Sequence, residues 1–158
     1  MFGIFKSKKE VRAESDAKQF IIAQMQDLKK NNLELKELYN RTLKFQINKK
    51  IKSICKVSDK IFAECVKDNS KVSKLNLFIN YYQVDVIKIL SQYVAIKESK
   101  LETEEVVDFV NKTEQFMEKV NVGFENILED LIISKENSID ADIKVMLDSL
   151  ASYTFSKE

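Results

Sequence analysis

Apolar residues recur along this chain in alternating steps of four and three, the spacing that gathers side chains onto one face of an α-helix. A first helix is predicted from near Glu10, with Ala17, Ile21, Met25, Leu28, Leu35 and Tyr39 on its stripe and Asn32 falling among them. The polar cluster Asn40 to Thr42 reads as its end, a helix continuing through that point being the alternative. A second helix over 43–67 places Leu43, Ile47, Ile51, Ile54, Ile61 and Cys65 on its buried face. Lys49, Lys52, Lys56, Lys60 and Lys67 share the opposite face. Asp68-Asn69-Ser70 is polar enough for a turn, with Asn69 or Ser70 capping the next helix.

The third helix, over 71–98, is the most apolar. Leu75, Ile79, Tyr82, Val86, Ile89, Tyr93 and Ile96 form one seam, and Leu77, Val84, Ile87 and Val94 lie on another side. Such a helix sits centrally in a bundle or is shared with a second copy. Ser99-Lys100-Leu101-Glu102 has the spacing of a capping box, Thr103 being a competing cap. The fourth helix runs to about Ser134 on Val106, Val110, Thr113, Met117, Val120, Phe124, Ile127 and Leu131. Gly123 lies inside it at a cost of about 1 kcal/mol relative to alanine, which points to close packing against a neighbour. After a break at Asn137-Ser138, a short last helix carries Ile143, Met146 or Leu147, Leu150 and Tyr153. The reading is an all-α antiparallel bundle of four long helices plus a short C-terminal helix. It forms one domain over 10–158, behind a flexible apolar and basic tip at 1–9.

Composition narrows the chemistry. Two glycines and no proline in 158 residues cannot punctuate a β-sandwich or build a phosphate-cradling glycine loop. The absence of histidine removes the commonest metal ligand and the usual general base. The net charge of +1 argues against non-specific nucleic-acid binding. That small total hides an uneven spread: residues 1–67 carry 16 Lys/Arg against 8 Asp/Glu, and residues 102–158 carry 5 against 14. The lysine face of the second helix is therefore expected to meet the acidic fourth helix, the alternative being an acidic partner or an anionic surface. Cys55 and Cys65, about 15 Å apart along one helix, cannot form a disulfide, which suits a reducing compartment. No apolar run is long enough to span a membrane and no secretory segment is evident, so a cytoplasmic protein is expected. Met1, Phe2, Ile4 and Phe5, followed by Lys6, Lys8 and Lys9, could at most give a weak membrane-surface contact.

Carboxylates are the remaining candidates for catalysis. Glu114/Glu118 and Glu125/Glu129 stand at helical spacing and are expected to face solvent. Di-metal carboxylate bundles pair Glu with a histidine three residues on, which this chain lacks. Asp140 and Asp142 suit the start of a helix as complements of its dipole. Asp85 lies near the apolar seam of the third helix, with Tyr81, Lys88 and Gln92 on the same side and Lys88 as its expected ion-pair partner.

Lys60-Ile61-Phe62, Phe78-Ile79-Asn80-Tyr81-Tyr82, Ile87-Lys88-Ile89-Leu90 and Tyr93 resemble the 5-bromo-4-chloroindolyl phosphate hydrolysis (XpaC-like) protein family. The resemblance extends to Phe124, Leu128 and Asp140-Ala141-Asp142-Ile143, covering roughly residues 20–150. Members commonly carry a proline shortly after the tyrosines, where this chain has Gln83-Val84. The resemblance implies hydrolysis of a halogenated indolyl phosphate and a bacterial stress role beside toxic-anion-resistance (TelA-like) proteins. It brings no catalytic residues with it. Phosphoryl transfer needs metal ions, arginines or clustered backbone N–H groups, and the chain has only Arg12 and Arg41. The expected function is a non-catalytic interaction or scaffold protein, acting with a TelA-like partner or as a homo-oligomer, without a cofactor. Lys49, Lys52, Lys56, Lys60, Tyr81 and Tyr82 are its expected binding residues. The alternative is a metal-dependent hydrolase of aryl or indolyl phosphates using Asp85, Asp140 and Asp142 with a divalent ion.

Overall fold

The computed structural model describes residues 7–133 and 138–153. Helix accounts for 91% of them, with no strand among them. The helices are α1 (Lys8–Arg41), α2 (Asn48–Lys67), α3 (Gln83–Ser99), α4 (Glu104–Ile132) and α5 (Ser138–Tyr153). Met1, Phe2, Ile4 and Phe5, together with Ser134 and Asn137, lie outside the described residues, as does the side chain of Tyr153.

Side chains supply the punctuation that proline and glycine do not. Ser7 caps α1 through the Glu10 N–H at 3.1 Å, so the helix begins at Lys8, two residues before the predicted start. Thr42 ends α1, its hydroxyl donating to the Tyr39 carbonyl at 2.8 Å, and residues 42–47 turn before α2 begins. Leu43 therefore stands outside the second helix and is exposed, contrary to its predicted burial. Asp68, rather than Asn69 or Ser70, caps the following segment through the Ser70 N–H at 3.1 Å. Thr103, and not Ser99, caps α4, because the chain leaves α3 through Lys100 in the left-handed region at φ 59°.

The third predicted helix is not uniform. It opens as a 3₁₀ segment over Asn69–Leu75 and passes through a π turn at Phe78–Tyr82 before becoming α3. A π turn holds one residue more than an α-helical turn, so it shifts the phase of the apolar pattern. Phe78, Ile79, Tyr82 and Gln83 all face inward, and Val84, assigned to a second apolar side, is exposed. The π turn also offers the Ile79 carbonyl to a neighbouring helix. Asn31 donates to it at 2.8 Å and to Gln83 Oε1 at 2.9 Å. Gln83 in turn donates to Asn32 at 3.0 Å, and Asn32 to the Ser58 carbonyl at 2.9 Å. One amide chain thus ties α1 to the π turn and to α2.

These contacts fix the topology. Gln24 meets Asn76, Asn31 meets Gln83 and Arg41 meets Glu98, so α1 and the third helical stretch run side by side in the same direction. The short turn at 42–47 makes α2 antiparallel to α1. Pairing of Tyr93 with Glu114, and of Phe78 with Phe124, makes α4 antiparallel to α3. Two antiparallel hairpins, α1–α2 and α3–α4, therefore pack flank to flank, with α2 beside α4 and α2 and α3 on a diagonal. The core between them is held by Leu28, Leu35, Ile51, Ile54, Ile61, Phe78, Tyr82, Tyr93 and Phe124. Phe124 meets Phe78 edge-on at 4.9 Å and lies 5.5 Å from Tyr82. Phe109 and Phe116 of α4 are buried as well, off the predicted stripe.

α5 lies against α4 through Gly123. A Cβ at that position would fall 2.0 Å from Met146 Sδ, so the missing side chain is what lets Met146 reach the helix surface. Residues 7–20 of α1, in contrast, are exposed on every side. At 1.5 Å per residue α1 is about 51 Å long against about 30 Å for α2, so its first turns overhang the bundle.

Replacing Asn31 by alanine leaves the Ile79 carbonyl and Gln83 Oε1 without their donor and should lower unfolding stability by about 2–4 kcal/mol. Asn80→Ala, at an exposed position, should change it by less than about 0.5 kcal/mol. Urea titrations compare the two. Gly123→Ala should destabilise the protein by displacing Met146. In a Met146→Ala background the same change should instead stabilise it by up to about 1 kcal/mol, the helix-propensity difference. Equal effects in both backgrounds would show that the Gly123–Met146 contact does not matter.

Candidate functional site

The carboxylates do not converge. Asp85, in the first turn of α3, is half-buried, and burial pushes its carboxyl above the ordinary range while Lys88 opposes the shift. The expected Asp85–Lys88 ion pair does not form; the Lys88 ammonium extends into solvent on an exposed turn. Asp140 is exposed at the start of α5, and Asp142 is half-buried two residues on. No three Cys, Asp or Glu side chains among the described residues stand close enough to hold a metal ion together. Glu125 and Glu129 face solvent, as expected. Glu114 does not: its carboxylate accepts the Tyr93 phenol at 2.7 Å. Burial and that carboxylate both drive the Tyr93 pKa far upward.

The basic face is real but does not meet its expected partner. Lys49, Lys52, Lys56 and Lys60 are all exposed, and no ion pair within 4.0 Å joins them to another described residue. Contact with the acidic α4 is made by Lys50, one position off the stripe. Its ammonium donates to the Glu114 carbonyl at 2.6 Å and lies 3.7 Å from Glu118. The reason is rotational: Lys50 stands about 100° around α2 from Lys49, on the flank of the apolar face that packs on α4, and the stripe turns outward from that flank with Lys49 at its edge. Lys49 borders a shallow groove of about 240 Å³ between α2 and α4, lined also by Lys50, Ser53, Met117, Glu118 and Asn121. Asn121 Oδ1 is buried there without a hydrogen-bond partner among the described residues.

The tyrosine pair divides. Tyr81 is exposed on the π turn, and Tyr82 is 1% exposed in the core, so Tyr82 is a packing residue and not a binding one. Burial raises its phenol pKa well above the usual value. Burial also pushes the Cys55 thiol to about 12 and the Cys65 thiol to about 11, which keeps both in the unreactive protonated form.

A cleft that sequence patterning did not indicate opens at the end of the bundle where α3 turns into α4. It encloses about 540 Å³ among Phe45, Ile96, Leu101, Val106, Val107 and Val110, with Lys97, Lys100 and Glu102 at its rim. Lys97 lies 5.2 Å from the Phe45 ring centre, and Phe45 meets Tyr93 edge-on at 6.3 Å. Only exposed Leu101 and Val107 beside a turn hinted at it, and isolated exposed apolar residues are ordinary.

The family model described as 5-bromo-4-chloroindolyl phosphate hydrolysis protein matches residues 3–146. Comparisons with curated proteins and with solved structures find no significant match. The match takes in the whole bundle, the π turn with its Asn80-Tyr81-Tyr82 block, and most of α5. No helix among the described residues is long and apolar enough to cross a membrane.

The raised Asp85 carboxyl has a measurable sign. Stability associated with its neutral form is present below the ordinary carboxylate range and is lost as pH rises through the higher folded-state value. Asp85→Asn should therefore raise the urea midpoint at pH 7 and leave it nearly unchanged at pH 3. A lower midpoint at pH 7 would show that the carboxylate is stabilised by its surroundings.

Proposed function

The chain belongs to the 5-bromo-4-chloroindolyl phosphate hydrolysis protein family, and from that premise we propose that it acts by holding another protein. The observation that carries this reading is the exposed row Lys49, Lys52, Lys56 and Lys60, which forms no ion pair with any described residue although an acidic helix lies alongside. The row is about 16 Å long along the α2 axis. A fixed line of cations of that length suits an acidic helix or strand of a partner, and charge complementarity of this kind chiefly sets partner choice and association rate. A TelA-like protein is the partner that the family resemblance implies. Tyr81, exposed on the π turn, adds an aromatic contact of the sort enriched at interfaces.

Hydrolysis of a phosphoester is the second reading, favoured by the family's description. The two arginines weigh against it. Arg12 lies near the exposed start of α1, and Arg41, at its end, is held by Glu98 at 2.6 Å. Twenty-nine residues of one helix put them about 43 Å apart, too far to share one phosphate.

Two measurements separate these readings. Light scattering of the protein with a TelA-like partner should show a complex at low salt that dissociates above about 0.3 M salt, where charges are screened beyond a few ångströms. The Lys49→Gln, Lys52→Gln, Lys56→Gln, Lys60→Gln variant should fail to form it. Rigorously purified protein should not turn over indolyl or nitrophenyl phosphate, with or without magnesium or manganese. Turnover that Asp85→Asn or Asp142→Ala removes would overturn the proposal in favour of the hydrolase.

A further inference from the structure

The cleft between the turns at 42–47 and 100–103 has no role in the protein-docking reading. Phe45, Ile96 and Val110 are half-buried against the core and, with Val106, form its floor. Leu101 and Val107 stand at its mouth, 57% and 47% exposed. The volume, about 540 Å³, falls within the roughly 300–1,000 Å³ of small-molecule sites. Lys97, Lys100 and Glu102 stand at the rim, and none of the three forms an ion pair within 4.0 Å with a described residue. The charge of the lining is therefore net positive. Lys97 lies 5.2 Å from the centre of the Phe45 ring, which sets a cation directly beside the apolar floor.

We propose that this cleft binds a medium-chain fatty acid anion, with the alkyl chain on the floor and the carboxylate between Lys97 and Lys100. Two turns bound the cleft, so it suits a small molecule better than a helix laid along a groove. The occupant is an alkyl chain because the walls are branched aliphatic side chains. Phe45 is the one aromatic ring in the lining, and Lys97 takes one of its faces. The head is an anion because an apolar body on the floor strips water from Lys97. A neutral ligand leaves that loss uncompensated, whereas a carboxylate meets it with a charge-assisted hydrogen bond. Glu102, the one acidic group of the lining, turns away a second negative charge and so favours a singly charged head. Lys97 and Lys100 lie outside the α2 lysine row, so the proposal stands whether or not that row holds a partner.

The test is calorimetric titration of the full chain with hexanoate, octanoate and decanoate, each below the concentration at which it forms micelles. One molecule should bind per chain, with affinity rising about threefold to fourfold per added methylene. Decanol should bind about tenfold more weakly than decanoate, the share of two partly exposed ion pairs, and decyltrimethylammonium more weakly still. The Lys97→Met, Lys100→Asn variant should lose that tenfold for decanoate and bind decanol as the wild type does. Asparagine suits the left-handed backbone at position 100. The Leu101→Asp, Val107→Asp variant changes only exposed side chains, so it should melt near the wild-type temperature and bind neither ligand. The Lys49→Gln, Lys52→Gln, Lys56→Gln, Lys60→Gln variant should bind decanoate normally, which keeps failure of this proposal distinct from failure of the protein-docking reading. Absence of decanoate binding would overturn the proposal. Equal binding of decanoate and decyltrimethylammonium would do the same, as would binding that survives Leu101→Asp, Val107→Asp. Self-association that this last variant abolishes, with no decanoate bound, would give the cleft to a second copy instead.

Discussion

The bundle depends on an amide chain inside its core. Asn31 spans the Ile79 carbonyl and Gln83, Gln83 reaches Asn32, and Asn32 reaches the carbonyl of Ser58. Apolar packing alone does not choose among the ways of sliding one helix past another, because leucine and isoleucine ridges fit grooves at several offsets. A buried amide accepts one offset only, since any other leaves its donors and acceptors unmatched in a medium without water. Asn31, Asn32 and Gln83 therefore set the height at which α1, α2 and the π turn meet. The aromatic cluster of Phe78, Tyr82 and Phe124 lies at the same level and brings in α4.

Periodicity revealed the existence, type and order of the helices because burial of an amphipathic stripe leaves its mark directly in the spacing of residues. It located α4 and the end of α2 well, and it marked Gly123 as a place of close approach, which Met146 confirms. Elsewhere the spacing misled for identifiable reasons. Leu43 fits the stripe of a continued helix, but Thr42 can satisfy the Tyr39 carbonyl with its hydroxyl and so ends α1. Gln83 looks like a surface residue, and its burial is made possible by Asn31 and Asn32, which satisfy its amide across the helix contact and lie about 50 residues away in sequence. Absence of a proline after the tyrosines does not make that helix regular: the irregularity is built from backbone hydrogen bonds and stabilised by Asn31.

The candidate site was less legible than the fold. Charge totals suggested that a basic helix and an acidic one would neutralise each other, yet side chains pair at contact distance and not by sum. Lys50 sits at the flank of the α2–α4 contact and engages it, whereas Lys49, Lys52, Lys56 and Lys60 are exposed and pair with no described residue. Tyr81 and Tyr82 differ by one residue in sequence, and the helical rotation between them sends one to solvent and the other to the core. The cleft by Phe45 is made by two turns distant in sequence, so no local pattern announces it.

The π turn has a further consequence for how the chain tolerates change in length. In most helices, insertion or loss of a residue rotates everything on one side by about 100° and is destructive, whereas loops absorb it. Here the surplus residue is already present. Loss of one position between Phe78 and Tyr82 would return the stretch to an ordinary α-helix without a break in hydrogen bonding. α3 could keep its register, and the whole rotation would fall on the preceding segment. Val72 and Leu75, now fully buried, would turn off the core, and the carbonyl that Asn31 engages would be reclaimed by the helix. The bundle thus carries a built-in frame shift, and the amide chain is what holds it in the longer frame.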